Sequence, residues 1–301
     1  MIYMEPLVSI IIVTYNSSRT IVETLDSAKN QTYGPIEVII SDDHSTDNTV
    51  NICEKWIQGN GYRFTNCKLL TATENKGVSA NFNQAIINAN GEWAKLIAGD
   101  DIMLPNCIEN NIYFIHDNPD AHFIFSKMGL FTVKGGEKVI VDHHPKENKL
   151  PLFYLSAEEQ HRELFKQNFL PAPTLFCRMK SIKENLYNEQ YRYCEDYPQW
   201  FLLTKKGYKL YLNPNETVLY RMSDSLTNST KLLYNPYHLS TFKLFYYNEM
   251  ADFLQKNDIE EYNRRNKSLF ISDFAIHVLK NKSTVINRFI LRVLSKYLYK
   301  E

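Results

Sequence analysis

Glycine is scarce in this chain of 301 residues, ten in all, and none lies where a phosphate-cradling loop would need it. The first apolar run ends in Thr14-Tyr15-Asn16-Ser17-Ser18. A dinucleotide-binding fold carries G-x-G-x-x-G at that point, and a P-loop protein carries its glycine-rich Walker sequence there. Both are excluded. Cysteine is equally sparse: Cys53, Cys67, Cys107, Cys177 and Cys194 lie far apart with no C-x-x-C pair. That rules out a zinc ribbon or a disulfide framework and leads us to expect buried, reduced thiols. Net charge is absent, with 34 Lys+Arg against 34 Asp+Glu, so no overall basic field points to nucleic acid. No stretch reaches the ~20 apolar residues that span a bilayer. Glu5 and Pro6 precede a short first apolar run, unlike a secretory leader. A cytoplasmic location is the expectation.

What is present is an alternation. Residues 8–13 (VSIIIV) form a β-branched run suited to a doubly buried strand. A helical pattern follows through Ile21, Leu25 and Ala28, then a strand over 37–40 and a helix with Val50, Ile52, Cys53 and Trp56 inward. A strand over 67–72, a helix over 78–90 and a strand over 93–98 complete this half. Strands alternating with helices of this length predict a parallel sheet with right-handed crossovers. After Pro105 a helix is expected to about Asp117, then strands on either side of the Gly135-Gly136 turn. Ser156-x-x-Glu159 is a capping box. A short strand before Arg178, a helix opening at Asp196, and strands over 209–212 and 218–221 follow, then a polar loop over 223–228. From Pro236 the pattern is helical: 236–256, 259–280 and 284–299. The predicted organisation is a domain over 1–235, with halves 1–104 and 105–235, and a helical extension over 236–301.

Acidic residues gather where the chemistry of such a sheet is done. Ligands of open α/β sheets collect outside the carboxyl ends of the strands. The strand over 93–98 ends in Gly99-Asp100-Asp101, and the strand over 37–40 ends in Ser41-Asp42-Asp43. Adjacent carboxylates repel, and a cation is the natural reason to keep both ionised. Mg²⁺ takes one or two carboxylates, waters and substrate phosphate oxygens. Helix capping would account for either pair alone, since N-termini favour Asp. Two pairs at one sheet edge need a further reason. Asp47 reads as a capping residue, and capping could equally explain Asp196 of Cys194-Glu195-Asp196-Tyr197-Pro198.

The last helix places Ile286, Phe289, Ile290, Val293, Leu294, Tyr297 and Leu298 at helical spacing, with Arg288, Arg292, Lys296 and Lys300 on another face. It can pack on the preceding helices. It can also lie on an anionic membrane surface through residues 284–300.

With these residues in place, the chain resembles the family 2 glycosyltransferases of the GT-A fold, a mixed, mostly parallel Rossmann-like α/β sheet flanked by helices. The resemblance covers about residues 7–228 and rests on VSIIIVTYN (8–16), QTY with EVIISDDHSTDNT (31–49), ENKGVSANFN with GEW (74–93), AGDD (98–101) and CEDYPQW (194–200). It implies that Thr14 and Tyr15 line the nucleotide-base pocket and that Asp43 bonds the base or ribose. It implies Asp100 on the ribose, Asp101 on a Mg²⁺ or Mn²⁺ ion, and Arg221 near the diphosphate. Asp196 would be the catalytic base, with Glu195 beside it placing the acceptor. The implied activity is inverting transfer from a nucleotide-diphosphate sugar, expected to be a UDP-sugar, to a glycan or lipid-linked glycan in surface-polysaccharide synthesis. Ala98 stands where the family has a further Asp, Phe82 where many members have Arg, and Ser223 where a His is common. With no Q-x-x-R-W motif, a processive synthase is not expected. The rival readings are a nucleotidyltransferase, which would want a basic glycine-rich loop after the first strand, and an inactive sugar-nucleotide-binding protein.

Overall fold

The computed structural model describes residues 5–222 and 232–299, and the chain divides into two units at Arg221/Met222. The expected boundary near Asn235 lies beyond that division, and the polar loop over 223–228, with Ser223, lies outside the described residues.

The first unit is built on a sheet of nine strands among the described residues. The parallel half holds β1 (Val8–Thr14), β2 (Ile36–Asp42), β3 (Asn66–Thr71) and β4 (Trp93–Ala98), linked by α1 (Ile21–Lys29), α2 (Thr49–Asn60) and α3 (Val78–Asn88). Beyond it lie β5 (Ile102–Met103), α4 (Cys107–Asp117), β6 (Phe123–Lys134), β7 (Glu137–His144), α5 (Ala157–Leu164), β8 (Phe176–Arg178), α6 (Met179–Lys183), α7 (Asp196–Lys205) and β9 (Leu210–Arg221). The strand order is β3-β2-β1-β4-β8-β6-β9-β5, with β7 paired to β6. β1 through β4 are parallel, as the alternating pattern predicts, because each crossover helix buries one apolar face. Ile10, Ile12, Val38 and Ile40 meet Leu25, Cys53 and Trp56 in one cluster.

β8 enters antiparallel to β4, with Lys95 opposite Phe176 and Trp93 opposite Arg178. Trp93 and Phe176 stack at 5.5 Å. Through this pairing the second half of the unit joins the first by a backbone ladder. Three details differ from the sequence reading. The two strands expected at 209–212 and 218–221 are one strand, β9, whose register against β6 slips around Ser126 and Lys127. Pro105 does not open the helix: α4 begins at Cys107, and Ile102–Met103 pairs with β9 instead. Finally, β6 and β7 are longer than expected and form a hairpin through Gly135-Gly136, both at positive φ, which glycine adopts without Cβ strain.

The second unit contains α8 (Pro236–Phe245), a π-helical turn over Tyr246–Met250, α9 (Ala251–Asn257), α10 (Ile259–His277) and α11 (Val285–Leu298). No described helix is long and apolar enough to cross a membrane.

Candidate active site

β1 lies between β2 and β4, so the connections leave it in opposite directions, and the crevice of an open sheet forms at such a reversal. Thr14 is level with Asp42, and Val13 with Ala98. The carboxyl ends of these three strands, with Tyr15, Asp43 and Asp100 just past them, therefore form one edge. The loops are tied together there. Asn16, at φ 51°, accepts from the Thr46 N–H through its Oδ1 (2.8 Å), and its own N–H donates to Ser45 Oγ (2.8 Å). Asp47 Oδ2 accepts from the Ser18 N–H and Oδ1 from the Thr49 N–H. Despite some burial, these bonds hold its pKa down to about 2. Asp47 makes an Asx-type turn ahead of α2, whose N-cap is Asn48; it serves the local turn and not the helix cap itself.

Asp43 is different. Its carboxylate accepts from two consecutive backbone amides, Lys76 N–H and Gly77 N–H, both at 2.8 Å. Burial raises its pKa against these bonds and against the Arg192 cation. Gly77 sits at φ +91°, and a Cβ there would fall 2.1 Å from Arg192 Cγ and 2.7 Å from the Arg192 carbonyl oxygen. The Arg192 guanidinium donates to the side chain and carbonyl of Asn75, while the Val78 N–H donates to the Arg192 carbonyl. A two-sided latch thus joins residues 75–78 to the stretch that leads into Asp196. Sequence reading missed Lys76, Gly77 and Arg192. The nearness of Arg192 to the CEDYP stretch was the available signal.

Asp100 and Asp101 follow β4. Gly99 must be glycine-like in size, because a Cβ would come within 3.0 Å of both Thr14 Oγ1 and Ile21 Cδ1. Thr14 is consequently enclosed beneath Gly99, with its hydroxyl buried. Tyr15, next to it, is 37% exposed at the crevice. The two acids face unequal surroundings. Asp100 is half-buried, whereas Asp101 is 1% exposed and its Oδ1 accepts from the Arg221 N–H at 3.0 Å. Burial raises both pKa values, and the Asp100 charge pushes Asp101 further. Asp101, the expected metal ligand, is thus enclosed beside the end of β9, while Asp100 keeps some solvent access. Neither acts as a helix cap, since α4 starts only at Cys107. Arg221 ends β9; its guanidinium gives Nε to the Asp100 carbonyl (2.9 Å), pairs with Glu23 (2.7 Å) and lies over the Phe131 ring.

Asp196 is held by the chain that leads into β8. Because β8 runs antiparallel to β4, the residues feeding into it lie at the carboxyl end of β4: the Leu96 N–H donates to the Leu175 carbonyl. Just upstream, Asn168 Nδ2 donates to Asp196 Oδ2 at 2.8 Å. Asp196 is the first residue of α7 and not its cap; Glu195 precedes the helix in helical conformation with no side-chain cap bond. The capping explanation for Asp196 therefore fails. Trp200 and Phe201 anchor α7, Trp200 edge-on to Phe125 at 4.8 Å, which holds the half-buried Asp196 carboxylate in place. Burial and the neighbouring Asp196 push Glu195 up to about 8. Asn168 carried no sequence signal, because only folding brings it across 28 positions.

Among the described residues no three His, Cys, Asp or Glu side chains stand close enough to hold a metal ion by themselves. A site of two adjacent carboxylates completed by substrate oxygens remains compatible with that geometry.

Residues 9–185 match the family model described as glycosyl transferase family 2. An uncharacterized glycosyltransferase of Rickettsia typhi is 28% identical over 281 residues, covering 92% of this chain and 81% of the relative. Glycosyltransferase GlyG of Streptococcus pneumoniae is 32% identical over 142 residues, covering 42% of this chain and 45% of that protein. Among solved structures, S. aureus TarS 1–349 in complex with UDP-GlcNAc aligns with a TM-score of 0.56 at 20% identity, covering 97% of this chain and 80% of TarS 1–349. Mannosyltransferase PcManGT from Pyrobaculum calidifontis, in complex with GDP-Man and Mn²⁺, aligns at 0.54 and 17% identity, covering 98% and 70%. These likenesses show the GT-A fold. The matched segment takes in the edge that carries Tyr15, Asp43, Asp100 and Asp101, and the chain belongs to glycosyl transferase family 2.

Proposed function

We propose that the protein is an inverting, metal-dependent glycosyltransferase. It would move a hexosyl group from a nucleotide-diphosphate sugar, most simply a UDP-sugar, to a hydroxyl of a glycan or lipid-linked glycan in surface-polysaccharide synthesis at the cytoplasmic face. Structural neighbours bound to UDP-GlcNAc and to GDP-Man with Mn²⁺ support a nucleotide-sugar donor. Tyr15 stacks on the base, and Asp43, preorganised by the Lys76 and Gly77 amides, bonds the base or ribose. Arg221 stands at the diphosphate end of the crevice.

The Asp100–Asp101 pair fits Mg²⁺ or Mn²⁺. It offers hard oxygens, and burial makes two adjacent negative charges costly without a counter-ion. Asp100 would hold the ion on its open side, and Asp101 would support it from behind while anchoring Arg221. When bound, such an ion offsets the charge that builds on a departing diphosphate.

In the reaction an acceptor hydroxyl oxygen attacks the anomeric carbon as the bond to the diphosphate breaks on the opposite face. Asp196 takes the hydroxyl proton. Glu195, whose pKa burial and the neighbouring Asp196 push up to about 8, can donate to the acceptor. The single observation that carries this reading is that Asp196 caps no helix and instead takes a bond from Asn168, at the end of a stretch that Arg192 ties to the loop holding Asp43.

The test is thermal stabilisation by a panel of nucleotide sugars with and without Mn²⁺. One UDP-sugar, at 100 times its Kd, should add about 2.7 kcal/mol, an effect that EDTA removes. No stabilisation by any member of the panel would refute the reading.

A further inference from the structure

α11 carries two apolar faces, and only one of them is used. It packs against α10, and the Tyr299 hydroxyl just past its end donates to the Arg264 carbonyl at 3.1 Å. Ile290, Leu294 and Leu298 lie along the half-buried side. Turned about a quarter of the way round the helix, at 100° per residue, a second stripe faces outward: Ile286 is 71% exposed, Phe289 65%, Val293 50% and Tyr297 76%. A folded chain does not leave aromatic and β-branched side chains aligned in water without a partner for them.

Charge identifies that partner. Arg288, Arg292 and Lys296, all exposed, run along the free border of the stripe. Between Phe274 and Lys300 the sequence has six Lys or Arg and no Asp or Glu. The occupant must therefore be apolar where Phe289 and Val293 point and anionic beside them. A second copy paired through the same face about a two-fold axis would set these cations against one another with no acid on the helix to answer them. Fourteen residues give a helix of about 21 Å, shorter than the ~30 Å hydrocarbon layer, so the helix lies in a bilayer surface and does not cross it.

We propose that α11 is an interfacial anchor that docks the protein on an anionic lipid bilayer, burying Ile286, Phe289, Val293 and Tyr297 at the acyl boundary and setting Arg288, Arg292 and Lys296 among the headgroups. The sequence left packing and membrane contact as alternatives. The structure assigns one face of the helix to each. This docking does not depend on the donor or acceptor proposed above.

The experiment is flotation of the full chain with vesicles of phosphatidylcholine alone and of phosphatidylcholine with 40 mol% phosphatidylglycerol. The protein should float with the second and at least tenfold less with the first, and binding should fall as salt is raised. Phe289→Glu with Val293→Glu should cut binding to the anionic vesicles at least tenfold. Arg292→Gln with Lys296→Gln should remove the preference for phosphatidylglycerol with an unchanged melting temperature, since all four positions are exposed. Absence of binding by the wild type, equal binding to both vesicles, or undiminished binding by both double variants would overturn the proposal. So would sedimentation showing a dimer that Phe289→Glu with Val293→Glu dissociates, which would give the stripe to a second copy.

Discussion

Asp196→Asn should lower kcat by about 10²–10⁴-fold, the range for loss of a positioned general base, while nucleotide affinity changes by less than about threefold. The side chain keeps its shape, so Asn168 can still reach its oxygen, and α7 remains anchored by Trp200 and Phe201. Transferase kinetics together with calorimetric titration of UDP separate the two effects, and turnover near the wild-type level would remove Asp196 from the base role. Its neighbour adds a pH dependence. Glu195 has an ordinary pKa of 4.5, raised in the folded chain to about 8. The folded state then binds a proton that the unfolded state releases, so this residue makes stability fall as pH rises from about 4.5 towards 8. Glu195→Gln should flatten that part of the stability curve; a curve identical to the wild type would show that Glu195 is ionised throughout.

Asp100→Ala should weaken Mn²⁺-dependent UDP binding by at least ~10²-fold, since a bound ion offsets several kcal/mol of charge on the diphosphate. The contrast with Asp101→Asn is the informative part. That variant keeps an oxygen for the Arg221 N–H and removes only the charge of the enclosed member. It should retain Mn²⁺ stimulation and weaken Mn²⁺-dependent donor binding by less than Asp100→Ala does. Titration with UDP in Mn²⁺ and in EDTA checks both. If Asp101→Asn abolishes the metal effect and Asp100→Ala leaves it, the enclosed carboxylate is the ligand after all.

Much of this was legible in one dimension because it depends on periodicity and local geometry. β-branched runs broken by polar turns make β1, β2 and β4, and helices between strands force them parallel, so the Asp-Asp pairs at 42–43 and 100–101 had to reach one edge. The local role of Asp47 was readable because Thr49, which its side chain bonds, lies two positions on at the start of α2. Which member of an acidic pair faces outward was not readable. Asp100 and Asp101 are neighbours of the same type, and only the arrival of Arg221, 120 positions away, encloses one of them. The burial of Thr14 was equally hidden: nothing local says that Gly99 will settle on it.

The order of elements, the absence of any glycine-rich phosphate loop, the family, and the clustering of acids at strand ends follow from the sequence alone, because each arises from residues close together along the chain. Tertiary structure decided the rest. The antiparallel entry of β8 sets the residues before it at the carboxyl end of β4, Asn168 bonds Asp196 across 28 positions, the Gly77–Arg192 contact ties the Asp43 loop to the stretch before Asp196, and packing on α10 uses one apolar face of α11 and leaves the other exposed. These depend on long-range contacts, whose partners are set by how layers pack and not by spacing.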